Sequence, residues 1–418
     1  MKILPWVQCI PRGLLIISLA LMGAIPSSGE GPRYRNPNNF DGEYALDLLS
    51  NELPPDWRTT FRGSENGIQM GGGSLNIRHI TLTEDIKVRV PLITDRFIFR
   101  FRRERIAGLE RDDEWNLLDF ETRVTGPWHV SLVGNPSFHK SDATIGFATA
   151  WRVRPDQYAR FSYLWPRFDT NYAFENQSVN EGYTEAFRKF PGEARLETVW
   201  QNDRTSLFLD ARHGRPWELD HRTLDPTPSG YIEQGEMSEL IAELRHRVGD
   251  WTMNVQAKGW RSEGRLTHDP SRPDEDNHVL QDYQRFFFTL DRKLSERRTL
   301  RAGAGPSLMR GRKELPYQST KNNRYHYEDT IGLLSYLPRW SPQWSGETAY
   351  MINFQEKVLT QGADSSRSSQ IHNRIKFALR WEGTRASFVI AGNVEMDQSE
   401  AETPVSFDGG TLQFQTLF

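Results

Sequence analysis

From residue 77 onward the chain repeats one pattern, a run with apolar side chains at every second position followed by a polar connection. Phe97, Phe99 and Phe101 alternate with Ile98, Arg100 and Arg102, and Leu118, Phe120 and Thr122 alternate with Asp119, Glu121 and Arg123. Further on, Ile371, Ile375, Phe377, Leu379 and Trp381 share a face whose reverse carries His372, Arg374, Lys376 and Arg380. Successive strand residues point to opposite faces, so a period of two predicts β-strands with one apolar and one charged side.

The connections alternate between short and long. Tight polar joints fall near Thr125-Gly126-Pro127, Arg154-Pro155-Asp156, Gln201-Asn202-Asp203, Gly249-Asp250, Ser295-Glu296, Ser341-Pro342-Gln343 and Glu382-Gly383-Thr384. Between them lie longer polar stretches at 106–114, 135–142, 166–189, 214–235, 262–277, 311–323, 359–368 and 397–409. Counting from Arg96 to Phe418 gives about 16 strands, and a further hairpin at 75–83 and 86–92 raises the count to about 18; both are even.

The residues from Thr411 to Phe418 place Leu412, Phe414, Thr416 and the terminal Phe418 on one face of a half-polar strand. Such an end resembles the closing strand of Gram-negative outer-membrane β-barrels, whose short periplasmic turns and longer external loops also match the connections. The resemblance implies an all-β fold, one transmembrane antiparallel β-barrel over residues 74–418 with a porin-like polar lumen. It also implies that Leu412, Phe414 and Phe418 form the assembly signal read by the barrel-insertion machinery. The amino end agrees. Lys2 and Arg12 precede an apolar run from Leu14 to Met22, and Ser27 and Gly29 fit a cleavage site, so residues 1–29 are expected to be a signal peptide. That run is too short to span a membrane. Cys9 precedes it, and cleavage would leave a cysteine-free chain suited to the periplasm and cell surface. The expected location is the outer membrane.

Composition alone would favour a soluble protein, with 37% hydrophobic residues and, after residue 29, no apolar run near the roughly 20 residues of a membrane helix. Barrels escape this test because only alternate strand residues meet lipid. A net charge of −3 argues against a nucleic-acid partner. Trp128, Trp151, Trp200, Trp251, Trp340, Trp344 and Trp381 sit beside short joints. There they would form a girdle at the membrane interface, because the indole ring is apolar and its N–H seeks water; ordinary strand-end aromatics are the plainer alternative.

Residues 30–73 read as a periplasmic N-terminal arm and linker. The stretch 30–57 is polar and Pro-rich, with a short amphipathic patch at Tyr44, Leu48 and Leu49 that permits a turn or two of helix. Disorder is the plain expectation and a partial lumen plug the alternative. Gly71-Gly72-Gly73 reads as a flexible joint, since a phosphate cradle would need a following helix.

Charge ladders are the candidate site. Arg100, Arg102 and Glu104 neighbour Asp119, Glu121 and Arg123; further ladders are Glu193, Arg195 and Glu197, then Asp210 and Arg212, then Glu239, Glu243, Arg245 and Arg247, with Arg374 and Lys376 later. Lining a wet pore, such groups would select polar solutes; paired across strands, they would instead fill and rigidify the lumen. The stretch 166–189 carries Asp169, Glu175, Glu181 and Glu185. Under the lower strand count it is the third external loop, the position of the constriction loop in general diffusion porins, though their Pro-Glu-Phe-Gly-Gly signature is absent. Under the higher count it is the fourth and the analogy lapses.

The acidic loop 269–277 suits a solvated surface, with a divalent cation or lipopolysaccharide phosphates as the alternative, and Pro273 breaks an EF-hand template. His139 with Ser141 and His129 with Ser131 are the closest approaches to a nucleophile and base, but neither lies in a catalytic motif, and His221 and His372 are isolated. No catalytic residue, cofactor or metal is expected. The expected partners are outer-membrane lipids and lipopolysaccharide, the insertion machinery and a periplasmic protein held by the arm. The expected function is a pore for passive or facilitated passage of hydrophilic solutes; the alternatives are a barrel component of an envelope export or assembly complex, such as polysaccharide export, and a structural surface protein.

Overall fold

The computed structural model describes Leu49 and residues 67–74, 82–93, 96–107, 112–135, 144–154, 157–166, 176–178, 183–223, 230–268, 276–316, 318, 322–396 and 406–417. The expected signal peptide, most of the arm and Phe418 lie outside the described residues. The strands are β1 (Gly67–Ser74), β2 (Leu82–Ile93), β3 (Phe97–Ala107), β4 (Asp112–Thr125), β5 (Trp128–Asn135), β6 (Thr144–Arg154), β7 (Gln157–Trp165), β8 (Asn176–Ser178), β9 (Tyr183–Lys189) and β10 (Gly192–Gln201). They continue as β11 (Thr205–Thr223), β12 (Gly230–Val248), β13 (Trp251–His268), β14 (Asn277–Ser295), β15 (Arg298–Glu314), β16 (Asn323–Pro338), β17 (Trp344–Gln361), β18 (Asp364–Glu382), β19 (Ala386–Glu395) and β20 (Ser406–Leu417).

All pairings are antiparallel, and β1 pairs with β20 from Gly67 opposite Leu417 to Ser74 opposite Gly410. That last pairing closes the sheet into an 18-strand barrel with no free edge. β9 and β10 count as one wall strand, because both run along β11 with Phe190 and Pro191 between them. Proline has no N–H to give a ladder, and β11 slips register between Gly214 and Trp217, where Pro216 sits. The same level of the wall is therefore broken by a proline on each strand. β8 pairs with β9 as an added hairpin.

The barrel starts earlier than residue 74. Gly71-Gly72-Gly73 is not a joint but part of β1, hydrogen-bonded to β2 on one side and β20 on the other. Glycine carries no side chain, so the stretch shows no alternation to read, yet its backbone serves a ladder as well as any other. The hairpin expected at 75–83 and 86–92 is instead β1 with β2.

The seven short joints all fall between consecutive strands, and Gly126 and Gly249 take the left-handed φ values of 51° and 60° that tight turns require. Most of the long connections shrink. β17 and β18 meet at Gly362-Ala363, with Gly362 at φ 59°, where a loop over 359–368 was expected. Residues 364–371 are exposed throughout. With water on both faces, a strand has no reason to alternate, so its outer half reads as loop.

One face of β4 to β7, of β14 and of β16 to β20 turns outward and is apolar. Phe120, Leu132, Phe147, Phe161, Phe286, Phe288, Leu334, Phe354, Phe377, Ile390, Leu412 and Phe414 are exposed on it, as a surface solvated by acyl chains requires. Trp128, Trp151, Trp200, Trp251, Trp340 and Trp344 are also exposed and gather at the short-turn end, with Trp381 half-buried beside them. The Arg292 guanidinium lies over the Trp251 ring, 5.2 Å from its centroid, which suits an interface where apolar body and charge meet.

Candidate functional site: the lumen wall

The faces opposite those apolar rows converge inside the barrel, and they divide into two unlike walls. On the first, strands β3 to β12 carry a connected row of ion pairs. Arg100 reaches Glu121, and its other arm donates to Asp119 at 3.0 Å. Asp119 also takes Arg160 of β7 at 2.6 Å, and Arg160 extends to Glu197 of β10 at 3.1 Å. Arg195 then links Glu197 at 3.4 Å to Asp210 of β11 at 2.6 Å. Next along, Arg212 meets Glu193 at 3.1 Å and Glu239 of β12 at 3.9 Å. Register sets the pattern: Arg100 stands opposite Asp119 and Glu197 opposite Arg160, whereas Arg195 opposite Arg212 and Glu197 opposite Asp210 are like charges, so Arg195 reaches Asp210 on the diagonal. Opposite charges across one face attract and like charges directly opposed repel.

The second wall, β13 to β17, is apolar at its middle. Trp260, Tyr283, Phe287, Met309, Tyr327, Ile331 and Met351 form one buried cluster, with Tyr325, Leu333 and Leu359 packed against it. Below it Arg301 holds Asp291 through two bonds of 2.7 Å, and Glu347 takes Lys376 at 3.3 Å and Ser335 at 2.8 Å. Beside it Asp329 accepts from Asn353 at 2.7 Å and Gln355 at 2.8 Å. A buried carboxylate without such partners would cost several kcal/mol, on the order of the desolvation of one ion.

The structure brings Arg100, Asp119, Glu121, Arg195, Glu197 and Asp210 together as one network, pairs Glu193 with Arg212 beside it, and places Arg374 and Lys376 on the lumen face of β18. Arg245 shares a strand face with Glu239 and Glu243 on β12. Arg123 departs from expectation. It is exposed at the short-turn end, where its Nε donates to the carbonyl of Gly126 at 2.7 Å, so it holds a turn and lines nothing. It keeps the face of Asp119 and Glu121, opposite His129, but stands at the strand's end beside the turn. The side chains of Arg102 and Glu104 lie outside the described residues.

The third-loop analogy lapses in a barrel of this strand number. Glu185 lies on β9, opposite His221 of β11 and Asn176 of β8, and the segment is the fourth long connection of the barrel. Asp169, Glu175 and Glu181 lie outside the described residues. So do His139, Ser141 and most of the acidic loop, of which Asp276 accepts from the backbone N–H of His268 at 2.5 Å. His129 Nδ1 lies 3.0 Å from Glu121, and Arg152 lies 3.4 Å from the same carboxylate. His129 therefore joins the ion-pair wall, next to Ser131 on its strand face. Among the described residues, no group of three or more His, Cys, Asp or Glu side chains is placed to hold a metal ion.

Arg89, Arg152, Arg160, Asp291, Arg301 and Glu347 belong to the lumen network and were not singled out from sequence. Each occupies every second position beside an outward apolar or small residue, the signal that marked Arg100. For Asp291 and Arg301 that signal is blurred, because Phe286, Phe287 and Phe288 are consecutive and the inward Phe287 hides the period.

A closed antiparallel sheet with an apolar outer face, a polar interior and a tryptophan girdle leaves one fold class. The fold is that of an outer-membrane β-barrel. No family model matches the chain and no curated protein matches it. Similar solved structures include OccK11 of Pseudomonas aeruginosa, at 11% identity over 86% of this chain and 99% of that one, with a TM-score of 0.35. The loop-deletion variant of OmpT, an outer membrane protein of Vibrio cholerae, matches at 10% identity over 84% and 97%, with a TM-score of 0.34. A bacterial polysaccharide outer membrane secretin matches at 10% identity over 84% and 98%, with a TM-score of 0.35. Likeness at this level identifies neither a family nor a solute, and the fold assignment rests on the barrel's own closure and faces.

Proposed function

We propose that the protein is an outer-membrane channel that passes small hydrophilic solutes along the charged wall of its lumen. The continuous row of ion pairs from Glu121 to Asp210 carries this reading. Pairing holds each guanidinium in place, while the side chains of Glu193, Glu197 and Glu239 stay 22%, 19% and 25% exposed and present charge to whatever occupies the lumen. Fixed charges facing a confined aqueous path sort solutes by sign and polarity. Delivery by the leader over residues 1–29 and insertion through the closing strand complete the proposal. Refolded protein in planar bilayers tests it: discrete conductance steps support a channel, and a barrel that assembles in the outer membrane yet never conducts refutes it.

A further inference from the structure

The outer face of the barrel between β16 and β19 carries a groove at the short-turn end. Pro338, Trp340, Thr348, Phe377, Leu379 and Ile390 line it, and it holds about 500 Å³. Its floor is low because Gly346 stands opposite Leu379 and Gly392 opposite Phe377 in the outward rows. The Trp340 ring folds over Gly346, where any larger side chain would collide with it. Trp340, Phe377 and Ile390 are exposed, so the groove is an apolar slot in the lipid-facing surface. Glu347 also borders it, but its carboxylate turns inward to Lys376 at 3.3 Å.

The rim beside this groove is cationic. The stretches 292–298 and 338–344 hold Arg292, Lys293, Arg297, Arg298 and Arg339, with Glu296 as their one carboxylate, and all six are exposed. Strand pairing brings the last three arginines together. Arg298 stands opposite Pro338 of the groove, and the backbone N–H of Arg339, next to Trp340, donates to the carbonyl of Arg297 at 2.8 Å. Glu382 of the next joint is held by Arg380 at 3.0 Å. Guanidinium groups thus gather at the level of the tryptophan girdle, where lipid headgroups lie, with an apolar slot beside them.

We propose that this is a binding site for one anionic phospholipid of the leaflet at the short-turn end, with an acyl chain in the groove and the phosphate on Arg297, Arg298 and Arg339. The site depends on the barrel's lipid-facing surface and not on the channel reading. Its two parts select the ligand together. An apolar groove alone takes any acyl chain, whereas arginines favour a headgroup of net negative charge over a zwitterion whose ammonium they repel. An acidic protein would meet the charges and leave the groove bare.

The test titrates the delipidated, refolded full chain in uncharged detergent with phosphatidylglycerol and with phosphatidylethanolamine of the same chains, counting bound lipid by native mass spectrometry. The first phosphatidylglycerol should bind about tenfold or more tightly than the first phosphatidylethanolamine, because each basic side chain near an anionic surface is worth about a fivefold factor. Arg297→Gln with Arg298→Gln should remove that preference, and Arg297→Lys with Arg298→Lys should keep it. Thr348→Trp, which fills the groove, should weaken both lipids; heat-modifiable migration on gels checks that each variant is folded. Equal affinity of the wild type for the two lipids overturns the site, and unchanged binding in Thr348→Trp overturns the groove's part in it. An equal loss of preference in Arg154→Gln with Arg204→Gln, which removes two cations from joints remote in the strand order, would make the effect one of total charge and also overturn the site. So would displacement of the lipid by glycerol phosphate, the mark of a soluble-anion site with no use for the groove.

Discussion

The two lumen walls are built from the same strand geometry and solve burial in opposite ways. On the β3 to β12 side, charges find opposite partners on adjacent or nearby strands. On the β13 to β17 side, the strands present an apolar surface, and among the described residues Leu49 packs against it from outside the wall. One lumen face is thus held by opposite charges and the other by apolar packing.

The largest effect should come from cutting the ion-pair wall. Asp119 serves Arg100 and Arg160 together, so Asp119→Ala leaves two buried guanidinium groups short of a partner and should cost about 3 to 5 kcal/mol in urea unfolding from liposomes. A loss under about 1 kcal/mol would mean that water reaches these groups and the row is only a surface feature. Next comes Ile331→Ala on the other wall. Covered by packing, Ile331 should lose about 2 to 4 kcal/mol; a value near zero would mean that the apolar wall is bare. The smallest effect belongs to Arg195 and Asp210 replaced together by Met and Leu, which removes a pair without stranding either charge and should change stability by about 1 kcal/mol or less. A loss as large as that of Asp119→Ala would show that the row acts as one cooperative unit.

What could be read from the sequence follows the same division. Where one face met lipid and the other carried charge, as at Phe97 to Arg102 or Ile371 to Trp381, the period of two was visible. Most of the ion-pair wall was accordingly legible, as were the short turns and the tryptophan girdle. The apolar wall was not, because inward Phe287 beside outward Phe286 and Phe288 erases the alternation, and Met309 and Ile331 look like ordinary strand residues. β1 was hidden by its glycines, and the outer halves of β17 and β18 by water on both faces. Leu49 stood out only as part of a short amphipathic patch, and nothing local says that a leucine will find its partners hundreds of residues later.

The charged wall's role in passage is tested most directly by ion selectivity. Glu193 and Glu239 flank Arg212 and are partly exposed to the lumen, so Glu193→Gln with Glu239→Gln should preserve the fold while making the wall more positive. The reversal potential across a salt gradient in planar bilayers should then shift toward anions, because lumen substitutions tune selectivity more than stability. A correctly folded double variant with the wild-type reversal potential would place the passage away from these charges.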